Sequence, residues 1–237
     1  QDASEAKSGE SYVINCWDDA ATLIEPGKET KEAGKAAFDC LERASNDLDR
    51  GLIAAVVTAP INKHNIQSDA FQFPGHTDFL NQELEGNSLM FMVSDSLRVG
   101  LLTDHVPVGE VPEHIDEALV SSKIDLIYKS LKSDFAIGAP KIAVLGINPH
   151  TGDNGVIGSE DDTVLRPALR KIKESGKLIY GPYAADSFFG SNNYQNFDAI
   201  VATYHDQGLI PFKTLTFGNG VNYTAGLNNV RTSPDHG

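Results

Sequence analysis

Apolar residues along the chain alternate between short unbroken runs and stretches in which they recur every three or four positions. Residues 51–60, GLIAAVVTAP, are apolar throughout until Pro60, the pattern of a strand covered on both faces. KIAVLGI at 141–147 reads the same way, and SYVINCW at 11–17 reads as a shorter strand. SLMFMVS and LRVGLLT flank Asp95 and Ser96 as a strand pair, and KLIYGPY, DAIVATY, FKTLTF and GVNYTAGL are strand-like runs nearer the C-terminus. Helical spacing separates them. Ala33, Ala37, Cys40, Leu41, Ala44 and Leu48 predict a helix from Thr30 to Leu48. HTDFLNQEL predicts another, and Ile115, Leu119, Ile124, Ile127 and Leu131 give one long amphipathic helix from Pro112 to Leu131. A further helix from Asp162 to Ser175 has Gly176 as its C-cap. Strands alternating with helices predict an α/β layered fold with a largely parallel or mixed sheet. No internal repeat, low-complexity tract or linker divides the 237 residues.

Charge narrows the partners. With 33 acidic and 19 basic side chains the formal charge is -14, and no Lys/Arg cluster stands ready for a nucleic-acid backbone. A phosphorylated metabolite remains compatible, because a few focused cations and backbone donors suffice for it. No apolar run approaches the roughly 18 to 20 residues that cross a bilayer, and the polar start QDASEAKSGES has no signal-peptide core. Two cysteines, Cys16 and Cys40, suit buried reduced thiols better than a disulfide framework. The expected location is the cytoplasm.

Three apolar runs end on the same residue type. RVGLLTDH ends at His105, IAVLGINPH at His150 and AIVATYH at His205. Ligands of open α/β sheets collect beyond the carboxyl ends of the strands, so three such strands sharing one direction would converge their imidazoles. Three imidazoles with an open position suit a divalent transition metal. A single histidine in this context reads more readily as a turn residue bonded to backbone. Three of the seven histidines in one context favour the metal reading.

Other polar words interrupt the apolar runs. TAPINKHN places Asn62, Lys63 and His64 directly after a strand, and PGHTDFL places His76 and Thr77 at a helix start. Backbone N–H groups and the Thr77 hydroxyl could hold an anion there, although Thr77 as a simple helix cap is the plainer reading. NPHTGDNGVIGSED is Gly-rich with acids, as a loop wrapped around a ligand would be, but it has no P-loop lysine. No GxGxxG follows the first strand, which argues against an ordinary Rossmann dinucleotide site. Lys213 and Arg231 are cations in apolar surroundings and answer either a ligand anion or a structural carboxylate. Gly218 and Gly220 permit close backbone approach.

Taken together, TAPINK, PGHTDFL, LLTDHVP, GINPHTGDNGVIGSED, GPYAADSFF, ATYHDQGL, FGNGVN and VRTSPDHG resemble the PdxA family, the 4-hydroxythreonine-4-phosphate dehydrogenases of pyridoxal phosphate biosynthesis. The resemblance runs from about residue 11 to the end, and YHDQGL with RTSxDHG is its most specific part. It implies a two-lobed α/β/α architecture similar to isocitrate and isopropylmalate dehydrogenases, with a mixed sheet, an active site in the interdomain cleft and a homodimer. It places the divalent metal (zinc, cobalt, manganese or magnesium) on His105, His150 and His205. These are the histidines that the strand ends had already singled out. Substrate contacts fall on His76, Thr77, Lys213, Asn222 and Arg231, acidic active-site positions on Asp186 and Asp206, and cofactor contacts on Gly218, Gly220, Asp235 and His236. Lys213 or Asp206 is the base. The implied reaction is NAD- or NADP-dependent oxidation of 4-phosphooxy-L-threonine, followed by decarboxylation to 3-amino-2-oxopropyl phosphate.

The chain departs from the family at both ends. It has neither a GDPAGIGPE-like opening nor a TAxDIAGKG-like continuation after DHG. Residues 1–237 are therefore expected to be an incomplete two-lobed body with weak or absent dehydrogenase turnover. The competing expectations are a paralogue acting on D-threonate or D-erythronate 4-phosphate, a three-histidine metallohydrolase, and a non-catalytic metal- or metabolite-binding protein.

Overall fold

A computed structural model describes residues 3–17, 25–84 and 86–234. In chain order its principal elements are α1 (Lys31–Asp49), β1 (Ala55–Val57), α2 (His76–Glu83), β2 (Gly86–Val93), β3 (Arg98–Leu101), α3 (Val111–His114), α4 (Glu117–Ser133) and β4 (Lys141–Leu145). There follow α5 (Arg166–Glu174), β5 (Leu178–Tyr183), α6 (Ala185–Gly190), β6 (Ala199–Ala202), α7 (His205–Thr216), β7 (Val221–Leu227) and β8 (Val230–Pro234). The fold is α/β with parallel and antiparallel strand pairs. It divides into two compact units, one running to Ser88 and resuming at Leu227, the other spanning Leu89–Gly226.

In the first unit, α1 begins where the Thr30 hydroxyl accepts a hydrogen bond from the Ala33 N–H at 3.2 Å. Its buried stripe is Phe38, Leu41 and Leu48, flanked by the predicted Ala37 and Ala44. These pack with Val56, Ile66, Phe71, Phe79, Leu80 and Leu84 around a cluster of edge-to-face phenylalanines. The strand expected over 51–60 shrinks to the three residues of β1, which pair in parallel with β8, Val56 opposite Arg231. Only Val56 of the three is buried and Val57 is 72% exposed, so the run is not covered on both faces. Residues 11–17 form no strand: Val13 is 94% exposed, and without a ladder partner an isolated extended segment gains nothing from its apolar side chains.

The second unit carries strands in the order β7-β2-β3-β6-β4-β5. β2 and β3 form the predicted antiparallel pair, Met92 opposite Val99, while β3, β6, β4 and β5 run parallel to one another. One face is covered by α4 and α5, through Ile124, Ile127, Leu131, Leu169 and Ile172 against Ile142, Val144 and Val201. The other takes Phe188 of α6 and Leu209 and Phe212 of α7 against Val99, Leu101, Ala143 and Ile200. This unit is an α/β/α sandwich. Gly208 lets α7 lie on the sheet, since a Cβ there would sit 2.8 Å from Val99 Cγ1 and 2.9 Å from Ala202 Cβ.

Two further expectations change. The long helix from Pro112 to Leu131 is broken at Ile115, because Asp116 caps a new start by accepting the Leu119 N–H at 2.7 Å. FKTLTF is the end of α7 rather than a strand: Phe212 and Thr216, four apart, are buried on one helical face, while Lys213, Thr214 and Leu215 point outward. The strand β8 lies in a tail read only for its ligand groups.

Both cysteines are free and half-buried. Burial, followed by the hydrogen bond and negative potential of Cys16, pushes the Cys40 thiol from its ordinary 9.0 up to about 11. Between those two values the unfolded chain has released this proton and the folded chain has not. The Cys40 contribution to stability is thus intact below pH 9 and lost as pH rises toward 11. Urea midpoints at pH 8 and pH 10.5 should therefore fall further apart in the native chain than in Cys40→Ser.

Candidate functional site

The predicted convergence of strand ends is present in the backbone. β6 lies between β3 and β4 and is parallel to both, with Val201 opposite Gly100 on one side and Val144 on the other. The chain leaves all three strands on one edge and reaches His105, His205 and His150 three to five residues beyond the ladder. The His105 and His205 rings come together, their centroids 5.9 Å apart and their planes 35° from parallel. His150 does not join them: among the described residues no group of three or more His, Cys, Asp or Glu side chains is close enough to hold a metal ion. It sits on a turn where His150 and Thr151 both have φ of 53°, a left-handed conformation that β-branched Thr151 rarely adopts.

Asp206 orients His205. Its carboxylate only accepts, so the imidazole Nδ1–H donates to Oδ1 at 2.8 Å, and in the neutral ring this leaves the lone pair on Nε2. Ligation through Nε2 uses this tautomer. Asp206 and Asp186 line one cavity of about 560 Å³, together with Phe189, Tyr204, Ile210 and Leu215. The structure thus brings the two predicted acidic residues to the same place. Lys213, on the last turn of α7, is exposed. Gly218 (φ 82°) and Gly220 lie in the turn from α7 to β7, and Asn222 is half-buried on β7.

The loop carrying His150 is organised by a residue that sequence reasoning treated only as part of an acidic, ligand-wrapping loop. Asp161 is fully buried, and its carboxylate accepts the Ile147 N–H at 2.8 Å and the Asn148 N–H at 2.9 Å. It therefore binds its own loop rather than a ligand. A carboxylate thirteen residues from the backbone it serves leaves no local spacing signal.

The remaining candidates belong to the first unit. His76 and Thr77 occupy the first turn of α2, but the N-cap is Gly75 and no side chain caps it, so Thr77 is not the cap. Arg231 is 3% exposed and donates from Nη2 to the Thr58 hydroxyl at 2.6 Å. Burial lowers its pKa to about 10, which still leaves a cation at neutral pH. Asn62 and His64 both bond to the Glu29 carboxylate, and the His64 bond holds that carboxyl below its usual range. They are structural on this account. Asp235 and His236 lie outside the described residues.

An α/β/α sandwich with His105, His205 and Asp206 just beyond the carboxyl ends of parallel strands defines the class: an α/β layered fold whose candidate site lies on one sheet edge. The family model "Pyridoxal phosphate biosynthetic protein PdxA" matches residues 1–237. The chain is 52% identical over 237 residues to 4-hydroxythreonine-4-phosphate dehydrogenase from Bacteroides thetaiotaomicron, covering 99% of this chain and 65% of the relative. It is 43% identical to the Sulfurihydrogenibium enzyme of the same name, covering 98% of this chain and 70% of that one. Its fold superposes on the crystal structure of 4-hydroxythreonine-4-phosphate dehydrogenase from Klebsiella pneumoniae with a TM-score of 0.81 and 34% identity, over 90% of this chain and 65% of that one. The chain belongs to the PdxA family. It spans about two thirds of the length of these relatives.

The role of Asp161 is open to a direct check. Asp161→Asn turns one of its acceptors into a donor facing backbone N–H groups, and should cost about 1–3 kcal/mol in urea unfolding. A midpoint equal to that of the native chain would show that the carboxylate does not hold the loop.

Proposed function

We propose that the chain carries the metal and substrate residues of an enzyme oxidising the C3 hydroxyl of 4-phosphooxy-L-threonine with NAD or NADP. The resulting 3-oxo acid loses carbon dioxide to give 3-amino-2-oxopropyl phosphate. The observation that carries this reading is the parallel trio β3, β6 and β4 with His105 and His205 side by side at its edge. The name shared by the relatives supplies the substrate.

Two of the three imidazoles, His105 and His205, stand side by side as ligands of one divalent ion would, while His150 lies apart from them. His105, His205 and His150 would hold it, and three imidazole donors lean away from magnesium. When bound, the ion would supply Lewis acidity and the nicotinamide would supply the capacity to take up hydride. The chain supplies orientation and proton movement. Asp206 keeps the Nε2 of His205 available, and Lys213, Asn222, Arg231, His76 and Thr77 neutralise and align the anionic ends of the substrate. Lys213 or Asp206 accepts the hydroxyl proton, and Asp186 adds a second carboxylate to the same cavity. Gly218, Gly220, Asp235 and His236 are the cofactor contacts.

Assembly as a homodimer belongs to the same reading and is supported by the exposed apolar side chains Ile210, Leu215 and Phe217 at the end of α7. Among the described residues no helix is long and apolar enough to cross a membrane. Together with the acidic charge and free thiols, this supports a cytoplasmic enzyme without nucleic-acid partners.

Metal analysis of the purified protein beside His105→Ala, His150→Ala and His205→Ala tests the centre. Bound metal should fall at least tenfold in each variant, in line with the loss of one of three ligands. Undiminished occupancy in all three would remove the proposed site. Nicotinamide absorbance, followed with substrate and added metal, then separates a dehydrogenase from a hydrolase.

A further inference from the structure

The sequence holds only two cysteines, and the fold brings them together. Cys40 lies on α1 between the core residues Phe38 and Leu41, and its S–H donates to the sulfur of Cys16. The Cys16 S–H in turn donates to the Ile14 carbonyl at 3.6 Å. Both side chains are half-buried. A cysteine sealed in a core acts as a small inert hydrophobe, whereas these two keep part of their surface toward water.

The two thiols differ in what holds them. Residues 11–17 pair with no strand among the described residues, and Ile14 and Cys16 are half-buried while Val13 and Asn15 face water. That alternation is the mark of an extended chain with one side against the protein. The contact this side makes at Cys40 is a thiol hydrogen bond, and thiols are weak donors and weak acceptors. On the other side, α1 is firmly seated: Phe38, two residues before Cys40, stands against Phe71 and Phe79 with centroids 5.8 and 6.0 Å away. A thiol on an unpaired segment can close to bonding distance on a fixed one without breaking a ladder.

We propose that Cys16 and Cys40 form a redox modification site, a dithiol that a low-molecular-weight disulfide such as oxidised glutathione converts reversibly into an intramolecular disulfide, fastening residues 11–17 to α1. The Cys16 thiolate attacks one sulfur of the small disulfide, breaking its S–S bond, expelling one thiolate and leaving a mixed disulfide on Cys16. The Cys40 thiolate then attacks the Cys16 sulfur, forming the protein's own S–S bond and expelling the second small thiolate. The two protons released by the protein thiols go to the two leaving thiolates, so two protein thiols are oxidised and one small disulfide is reduced. Cys16 reacts first because Cys40, whose thiol is pushed up to about 11, keeps its proton at neutral pH. In a reducing compartment the pair rests as the dithiol and closes only when the thiol pool is oxidised. The site lies in the first unit and is independent of the metal and substrate reading.

The test equilibrates the 237-residue chain in glutathione buffers of rising oxidised fraction, traps free thiols with iodoacetamide and reads the intact mass. The native chain should pass to a species that has lost two hydrogens and carries neither acetamide nor glutathione. Cys16→Ser and Cys40→Ser should instead stop at a glutathione adduct on the remaining thiol. The oxidised native chain should unfold at a higher urea concentration than the reduced one, a difference that both variants lose. Folding and the bond favour each other to the same extent, so the same oxidation carried out in urea should need a roughly tenfold more oxidising buffer. A native chain that ends with glutathione or acetamide on both cysteines, or as a disulfide-linked pair of chains, overturns the proposal. So does an internal bond that forms as readily in urea as in the folded state. Equal urea midpoints for the oxidised and reduced chains overturn the claim that the bond fastens the segment. Should a serine variant fail to fold, the native chain in buffer and in urea decides the question by itself.

Discussion

Three parallel strands that end together create a problem of unpaired backbone, and the rest of the functional edge is arranged around its solution. Beyond Leu101, Leu145 and Ala202 the ladder stops, yet Thr103, Gly146 and Thr203 are still buried. Their N–H and C=O groups must find partners away from water. The Thr103 and Gly146 N–H groups reach the Thr203 and Tyr183 carbonyls, Gln207 accepts the Thr203 N–H and donates to the Gly146 carbonyl, and Asp161 holds the backbone of the loop beyond β4. The imidazoles stand just outside this buried polar layer. Their positions follow from hydrogen bonds whose alternative is an unsatisfied group in the interior, at a cost of about 1–3 kcal/mol apiece.

The word HDQG at the start of α7 condenses the arrangement. His205 is a candidate ligand and Asp206 bonds its Nδ1. Gln207 ties the turn to the neighbouring strand, and Gly208 lets the helix settle onto β3 and β6. Each residue acts at a different level, from proton placement through capping to packing. Replacing any one disturbs a different property, which explains why so compact a stretch identifies the family well.

Electrostatics shape the rest. In a chain of charge -14 a buried cation is unusual, and Arg231 accepts desolvation on the short strand β8 beside β1. The uncapped start of α2, with His76 and Thr77 in its first turn, belongs to the same unit.

Local pattern was enough for the elements that bury an apolar face. The helical spacing in α1, α4 and α5, the β2–β3 pair around Asp95 and Ser96, and the runs of β4 and β6 were all legible, because period and burial leave a direct imprint on residue type. Recurrence of histidine after three such runs pointed to one edge. Where the outcome depended on neighbours, the pattern misled. Residues 11–17 have strand composition but no partner, 51–60 keeps only three paired residues, and FKTLTF continues a helix because Phe212 and Thr216 find the sheet together. By itself, then, the sequence determined the α/β class, the family and a list of candidate side chains, all properties of residue identity and spacing. The order β3-β6-β4, the pairing of His105 with His205 while His150 stands apart, and the roles of Asp161 and Gln207 were decided by tertiary structure. Those depend on hydrogen bonds spanning tens of residues, and no local spacing encodes a partner that far away.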